Sequence, residues 1–372
     1  MRLRKLTVDG YRNLSTAELF PVENVNVFCG ANAQGKTNLL EALWMFTGRR
    51  SFRGARDREL VRFGCSSADL SAQFEEEGRA VAVRLHIDTK RTAKRDGVLL
   101  ESTAALAEIF PCMLFSPEDL ALVKEGPAQR RRFLDDAISA LRPRYTAALS
   151  EYQRALGQRN TLLRDIPRHP ELRDMLPLFE DAMAKTGEVI IKHRRQYEMA
   201  LAESAAAVYA GFSGDTERME VAYRSSFDGD DIRERISDAL CSSLEDDLRA
   251  GFTTVGPHRD DLAVVIEGKE ARRFASQGQQ RSAAIALKLA EAEILSRGFG
   301  ETPVALLDDV LSELDGYRQD YILHRMGNWQ IFLTCCDASI AKRLQDGRVF
   351  FLEKGELRND CPPWPGDDGA SG

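Results

Sequence analysis

Gly30-Ala-Asn-Ala-Gln-Gly-Lys-Thr37 follows an apolar run through Val25, Val27 and Phe28 and precedes Leu39, Leu40, Leu43, Trp44 and Phe46 at helical spacing. The segment fits G-x-x-x-x-G-K-[ST], a loop that wraps nucleotide phosphates between a strand and a helix. Gly30 and Gly35 let the backbone approach phosphate with no Cβ in the way. Loop N–H groups and the positive end of the following helix face the anion. Lys36 is placed to neutralise the β- and γ-phosphates, and the Thr37 hydroxyl to ligate Mg2+.

A second apolar run, Val304-Ala-Leu-Leu, ends in Asp308-Asp309. It reads as a buried parallel strand whose carboxyl edge is where ligands sit. Asp308 is the expected Mg2+ ligand through water. Asp309, pointed away from Asp308 by extended geometry, is the expected general base. Between the two motifs, Ser276-Gln-Gly-Gln-Gln-Arg281 opens a helix carrying Ile285, Leu289 and Ala292. A serine there is a ready N-cap. Gly278 also allows close backbone approach, so this helix start can present N–H groups to the γ-phosphate held by a second subunit. Ser276, Gln277, Gly278 and Gln279 form the expected signature in trans, and Ser312 and Asp315 the element that crosses the dimer seam. The order of the three motifs points to an ATP-driven homodimer.

Composition places few further limits. The chain has 372 residues, 43% hydrophobic and 29% charged, with a net charge of −7. No run of 18 apolar residues is present, so no membrane span is expected. The start, MRLRKLTVDGYRNL, lacks the apolar core of a secretion signal, and seven scattered cysteines suit reduced thiols, which together point to the cytoplasm. An acidic total does not exclude nucleic acid, because local patches set that footprint. Arg50, Arg53 and Arg56 form one such candidate DNA-binding cluster, and Arg130, Arg131 and Arg132 another.

Along the chain the first 115 residues read as mixed sheet, with Val81, Val83, Leu85 and Ile87 alternating opposite Leu70, Ala72 and Phe74 across a Glu77-Gly78 turn, and Asp96-Gly97 as a further hairpin. From Ser116 to Gly251 helices dominate. Leu134, Ile138, Leu141, Tyr145, Ala148, Tyr152 and Leu156 follow four-three spacing over about three heptads, Pro167-Arg-His-Pro170 breaks the pattern, and Phe179, Met183, Ile190, Tyr197 and Leu201 resume it. The expected organisation is an α/β phosphate-loop ATPase head from 1–115 and 252–357. An all-helical antiparallel arm over 116–251 interrupts it, and a disordered tail spans 358–372.

Tyr11-Arg-Asn13, Gly30–Asn38, Ser51-Phe-Arg53, Phe115-Ser-Pro-Glu-Asp-Leu120, Arg131-Arg-Phe-Leu-Asp135, Gly256-Pro-His-Arg-Asp-Asp-Leu262 and Ile331-Phe-Leu-Thr334 occur in this order with the motifs above. Together, across residues 3 to about 335, they resemble the SMC/Rad50-type ABC ATPases, and within them a bacterial DNA repair and replication branch. Transport ATPases of the wider class carry a switch histidine where Thr334 stands and a clear Q-loop glutamine that Phe115–Leu120 lacks.

The resemblance implies an ABC-type head with ATP and Mg2+ as cofactors. ATP would be held by Gly30, Ala31, Asn32, Ala33, Gln34, Gly35, Lys36, Thr37 and Asn38, with Arg12 and Asn13 alongside and Thr334 as the switch. It implies weak DNA-dependent ATPase activity, with Lys36 and Asp309 catalytic. The ATP-dependent homodimer would bind double- and single-stranded DNA at gaps and work with the RecR and RecO mediators in loading RecA. His258, within G-P-H-R-D-D-L, is expected to be a hydrogen-bonded structural residue. The alternative is another SMC/Rad50-like ATPase acting as a structural DNA tether or a nuclease partner. A tether would need far longer heptad arms and a hinge.

Overall fold

In the computed structural model, residues 1–76, 78–336 and 347–358 are described. They form two compact units, Met1–Pro117 with the segment from Phe299 onward, and Glu118–Gly298.

The first unit begins with β1 (Arg2–Tyr11), β2 (Leu14–Leu19) and β3 (Val25–Cys29), then α1 (Lys36–Met45) and the single turn α2 (Asp57–Leu60). It continues through β4 (Ala68–Glu76), β5 (Arg79–Ile87), β6 (Arg91–Arg95), β7 (Val98–Leu99) and β8 (Cys112–Phe115). Side chains alternate along a strand, yet Leu3, Leu6 and Val8 of β1 are all buried. A register shift between Leu3 and Lys5 resets the phase. β1 lies in an antiparallel sheet ordered β2-β1-β4-β5-β6-β7. Phe74 faces Val81, Ala72 faces Val83 and Leu70 faces Leu85, and Arg95 pairs with Val98 across Asp96-Gly97, as their alternation predicts.

The second unit follows α3 (Pro117–Leu120) with α4 (Pro127–Leu141), α5 (Pro143–Asp165), α6 (Leu176–Ser213), β9 (Met219–Arg224), α7 (Ile232–Ser242) and α8 (Leu244–Ala250). Then come β10 (Asp261–Ile266), β11 (Lys269–Glu270), α9 (Ala271–Phe274) and α10 (Gln277–Phe299). The antiparallel sense of α5 and α6 is fixed by paired contacts: Arg159 reaches Glu180, and Tyr145 reaches Arg194. The four-three seam is not one continuous helix, because Pro143 divides it into α4 and α5. Nor does the helical region stand as a two-helix arm ending near 251. Its α6 also packs on α7 and β9, and β9 pairs with β10, Val221 opposite Val264, in a sheet ordered β11-β10-β9. The strand β9 was hidden in a stretch read as helix, and its partner β10 carries the unit on to Gly298.

The chain then completes the first unit with β12 (Val304–Leu307), α11 (Gly316–Arg325), β13 (Ile331–Cys335), β14 (Gly347–Glu353) and β15 (Glu356–Arg358). These strands build a second six-stranded sheet, β15-β14-β3-β13-β12-β8, parallel except at β15. Helix α1 contacts β1 of one sheet and β13 of the other. Leu39, Leu40, Ala42, Leu43, Met45 and Phe46 are therefore all fully buried, rather than the single apolar face expected from spacing. Arg358 closes β15, opposite Phe351, so it belongs to the sheet. The expected tail beyond it lies outside the described residues.

Candidate nucleotide site

Strands β3, β13 and β12 lie side by side and end at one sheet edge. β3 runs into the phosphate loop, β12 into Asp308, and β13 between them ends at Thr334-Cys335. Leu307 is opposite Leu333, so the next residues of each strand, Asp308 and Thr334, stand level. Asp308 Oδ1 accepts from Thr37 Oγ1 at 2.9 Å and from Thr334 Oγ1 at 2.9 Å. Its amide donates to Phe115 O of β8 at 2.9 Å. Strand order brings Asp308 and Thr334 together, and the loop after β3 carries Thr37 at the start of α1 to the same oxygen.

The expectation for Asp309 needs correction. It is not extended but left-handed, at φ 52° and ψ 10°. The chain turns directly from β12 into a 3-10 turn over Val310–Glu313, and Ser312 Oγ donates to Asp309 O at 2.6 Å. The Asp309 amide donates to Thr334 Oγ1 at 2.8 Å. Among the described residues Asp309 Oδ1 is buried without a hydrogen-bond partner, a costly arrangement for a carboxylate oxygen.

In the phosphate loop, Lys36 is buried and Nζ donates to Gly30 O at 2.5 Å and Ala31 O at 3.1 Å. Its Nζ also lies 3.1 Å from Cys336 Sγ, and that thiol lies 3.0 Å from Asn32 Oδ1. A side chain at Gly35, where φ is 108°, would place its Cβ 2.8 Å from Asn13 Oδ1, so only glycine fits. Ala33 takes the left-handed conformation at φ 64°. Gln34 is clamped by the β14–β15 turn: the Lys354 amide donates to Gln34 Oε1, and the Gly355 amide to Gln34 O at 3.1 Å.

Two polar relays tie the loop's helix to its surroundings. In the first, the buried Glu41 accepts Arg12 Nε at 2.8 Å, Arg12 Nη2 at 2.9 Å and Ser51 Oγ at 2.5 Å. A buried carboxylate requires such partners, and Glu41 in turn holds the Arg12 guanidinium above its ordinary pKa by hydrogen bonding. In the second, Asn38 Nδ2 donates to Asn13 Oδ1 at 2.7 Å while Arg53 Nη1 donates to Asn38 Oδ1 at 2.8 Å. Tyr11-Arg-Asn13 and Ser51-Phe-Arg53 therefore converge on α1. What Arg12 reaches is Glu41 and the Glu59 carbonyl, at 3.2 Å, and what Asn13 reaches is Asn38. Glu41, Cys336, Lys354 and Gly355 escaped sequence reasoning. The one available signal was an isolated acid inside the apolar α1 pattern.

In the second unit, Ser276, Gln277 and Gly278 are exposed at the start of α10. Ser276 Oγ accepts from the Gln279 amide at 3.2 Å, and the Ser276 amide donates to Gln279 Oε1 at 2.8 Å. This reciprocal capping fixes the helix start. Gln279 Nε2 donates to Glu217 Oε1 at 2.7 Å. In the first unit, Ser312 and Asp315 are exposed, and Asp315 caps α11 by accepting the Arg318 amide.

The two arginine clusters part company. Arg130 is 3% exposed and bidentate to Asp261, at 2.8 and 2.9 Å, with a further bond to Glu125 O. Arg131 is half-buried and donates to Asp260 O at 2.7 Å, and Arg132 pairs with Asp136 at 3.7 Å. Arg130 is therefore unavailable for the expected DNA contact: Arg130 and Arg131 hold α4 against the G-P-H-R-D-D segment, while Arg132 stays exposed. Arg50, Arg53 and Arg56 are exposed, although Arg53 is engaged by Asn38. His258 has the structural role expected of it. A carbonyl can only accept, so Nε2–H donates to Thr253 O at 3.1 Å, and Nδ1 accepts from Tyr152 OH at 2.7 Å.

The donor set fits a magnesium nucleotide. A threonine hydroxyl and one carboxylate are hard oxygen ligands, few enough that phosphate and water would complete an octahedron. Among the described residues no cluster of three or more His, Cys, Asp or Glu could enclose a metal, and no helix is long and apolar enough to cross a membrane.

Residues 2–355 match the RecF/RecN/SMC N terminal domain. The DNA replication and repair protein RecF of Ruminiclostridium cellulolyticum is 37% identical over 344 residues, 90% of this chain and 92% of that protein. RecF of Caldanaerobacter subterraneus subsp. tengcongensis is 39% identical over 345 residues, 90% and 94% respectively. The solved structure of the recombination mediator protein RecF with ATPrS, in the RecFOR pathway, superimposes with a TM-score of 0.88 at 36% identity, covering 96% of this chain and 97% of that one. On sequence, fold and site, the chain belongs to the RecF family of DNA replication and repair proteins, with an SMC-like ABC ATPase head.

Proposed function

We propose that this chain is an ATP-dependent DNA-binding switch in recombinational repair and replication-fork maintenance. The observation that carries the reading is the convergence of Thr37 and Thr334 on Asp308 Oδ1, each at 2.9 Å, beside the Lys36 loop. Relatives with ATP and ATPrS in their structures support ATP as the nucleotide. Bound Mg2+–ATP would supply the γ-phosphate that bridges two subunits and the bond whose cleavage ends the bridge. In this reading Lys36 neutralises phosphate charge, Thr37 and Asp308 hold the cation, and Asp309 takes the proton of the attacking water. Thr334 fixes both acids. Ser276 to Gln279 of a second copy would close over the γ-phosphate, with Ser312 and Asp315 at the seam.

Binding of gapped DNA by the dimer, and cooperation with RecR and RecO in loading RecA, are proposed from the RecFOR pathway of the relative. DNA contact is assigned to Arg50 and Arg56, with Arg53 beside them. Affinity for gapped DNA in the presence of ATP should fall with salt by a log–log slope near −0.9 per phosphate contacted. Arg50→Ala with Arg56→Ala should flatten that slope by about two contacts while ATP binding is retained. Wild-type affinity and slope in the double variant would remove this face from the DNA path.

A further inference from the structure

Phe63 is wholly exposed, at 103% of its reference area, on a turn that the fold holds firmly. Leu60 O accepts from the Arg12 amide and Gly10 O from the Arg62 amide, each at 2.8 Å, while Val61 bridges Tyr11 of β1. The Cys65 amide then closes on Arg62 O at 3.0 Å, with Gly64 at φ 89°. A turn with Gly in that position places the preceding residue at its tip. A single exposed apolar side chain is ordinary on a protein surface, so exposure alone carries nothing. What sets Phe63 apart is its charge setting. Arg56 and Arg58 are exposed within the same eight residues and the half-buried Arg62 precedes Phe63 in the chain; among the described residues none of the three forms an ion pair. The two nearby acids are engaged: Asp57 pairs with Arg91 at 2.9 Å, and Glu59 Oε2 accepts the Arg56 amide at 2.7 Å.

A free aromatic face near guanidinium groups that form no ion pair is suited to stacking on an unpaired nucleobase. We infer that Phe63 stacks on a base of single-stranded DNA while Arg56, Arg58 and Arg62 track the adjoining phosphates. The inference rests on the proposed DNA-binding function and adds to it a residue that tells gap from duplex. A continuous duplex hides its base faces in its own stack, so the ring finds a partner only where a base is unpaired.

The test is fluorescence anisotropy of the full chain with ATP on labelled oligo(dT), a blunt duplex and a gapped duplex. Phe63→Ala should weaken oligo(dT) and gapped DNA by about tenfold and leave the blunt duplex unchanged, and Phe63→Tyr should restore binding. Equal affinity of wild type and Phe63→Ala on all three DNAs, or equal loss on all three, overturns the inference while leaving the DNA-binding function standing. Loss of ATP-dependent dimer mass in Phe63→Ala also overturns it, by making the face a protein interface. If wild type binds none of the three, the proposed DNA-binding function itself fails, and this inference with it.

Discussion

Thr334 donates its hydroxyl to Asp308 Oδ1 at 2.9 Å and with the same oxygen accepts the amide of the neighbouring Asp309 at 2.8 Å. One buried hydroxyl on β13 thereby positions the end of β12. A hydroxyl can serve both ends because it donates to one acid and accepts from the next residue's backbone at once.

Thr334→Val keeps shape but removes both bonds. A hydrogen bond to a charged group contributes about 2 kcal/mol, so turnover of ATP should fall roughly ten- to thirtyfold, with nucleotide affinity less affected. Thr334→Ser should recover most of the rate. A steady-state phosphate-release assay checks both, and a valine variant as fast as wild type would remove Thr334 from the mechanism.

Asp309→Asn leaves Asp308 and Thr37 in place, so Mg2+–ATP binding should persist. Removing a general base typically slows the chemical step by ~10²–10⁴. Single-turnover hydrolysis reads this directly. Unchanged single-turnover rates would move the base to another residue.

Burial pushes the His258 imidazole down from its usual range to about 4. The folded state therefore binds fewer protons than the unfolded chain between about pH 6.5 and 4, and the sign follows from linkage. The stability contributed by neutral His258 is fully present above pH 6.5 and is lost as pH falls toward 4. The partly exposed ring limits the effect to about 2 kcal/mol. Thermal melts from pH 7 to 4 should show His258→Gln less stable at pH 7 but with a shallower acid slope. A slope identical to wild type would assign the acid sensitivity to other groups.

Much of this was legible because local patterns coincide with local structure. Gly30–Thr37 sits between strand and helix where its spacing demands, and Ser276 caps α10 through Gln279, three residues on, as a serine–glutamine pair at that spacing can. Asp308 and Thr37 could be paired from motif order. The misreadings came where a distant partner decides. Arg130 looks like Arg132 in sequence, yet Asp261, remote along the chain, draws Arg130 into a buried pair. Asp309 lost its extended geometry to a turn stabilised by Ser312, which no strand pattern reveals. Met219–Arg224 became a strand because β10 offers an edge, a tertiary effect that overrides helical surroundings. The Arg12–Glu41–Ser51 relay needed three segments to meet, and only the fold brings them together.

The shared nucleotide site stands or falls on molecular mass by light scattering, with and without ATP, for wild type, Lys36→Met and Ser276→Arg. Wild type should shift from monomer to dimer on adding Mg2+–ATP. Lys36→Met should lose both nucleotide binding and the shift, and Ser276→Arg should bind ATP with near wild-type affinity yet remain monomeric. If Ser276→Arg dimerises with ATP as fully as wild type, or wild type stays monomeric while saturated with ATP, the signature serine does not close a second subunit's site.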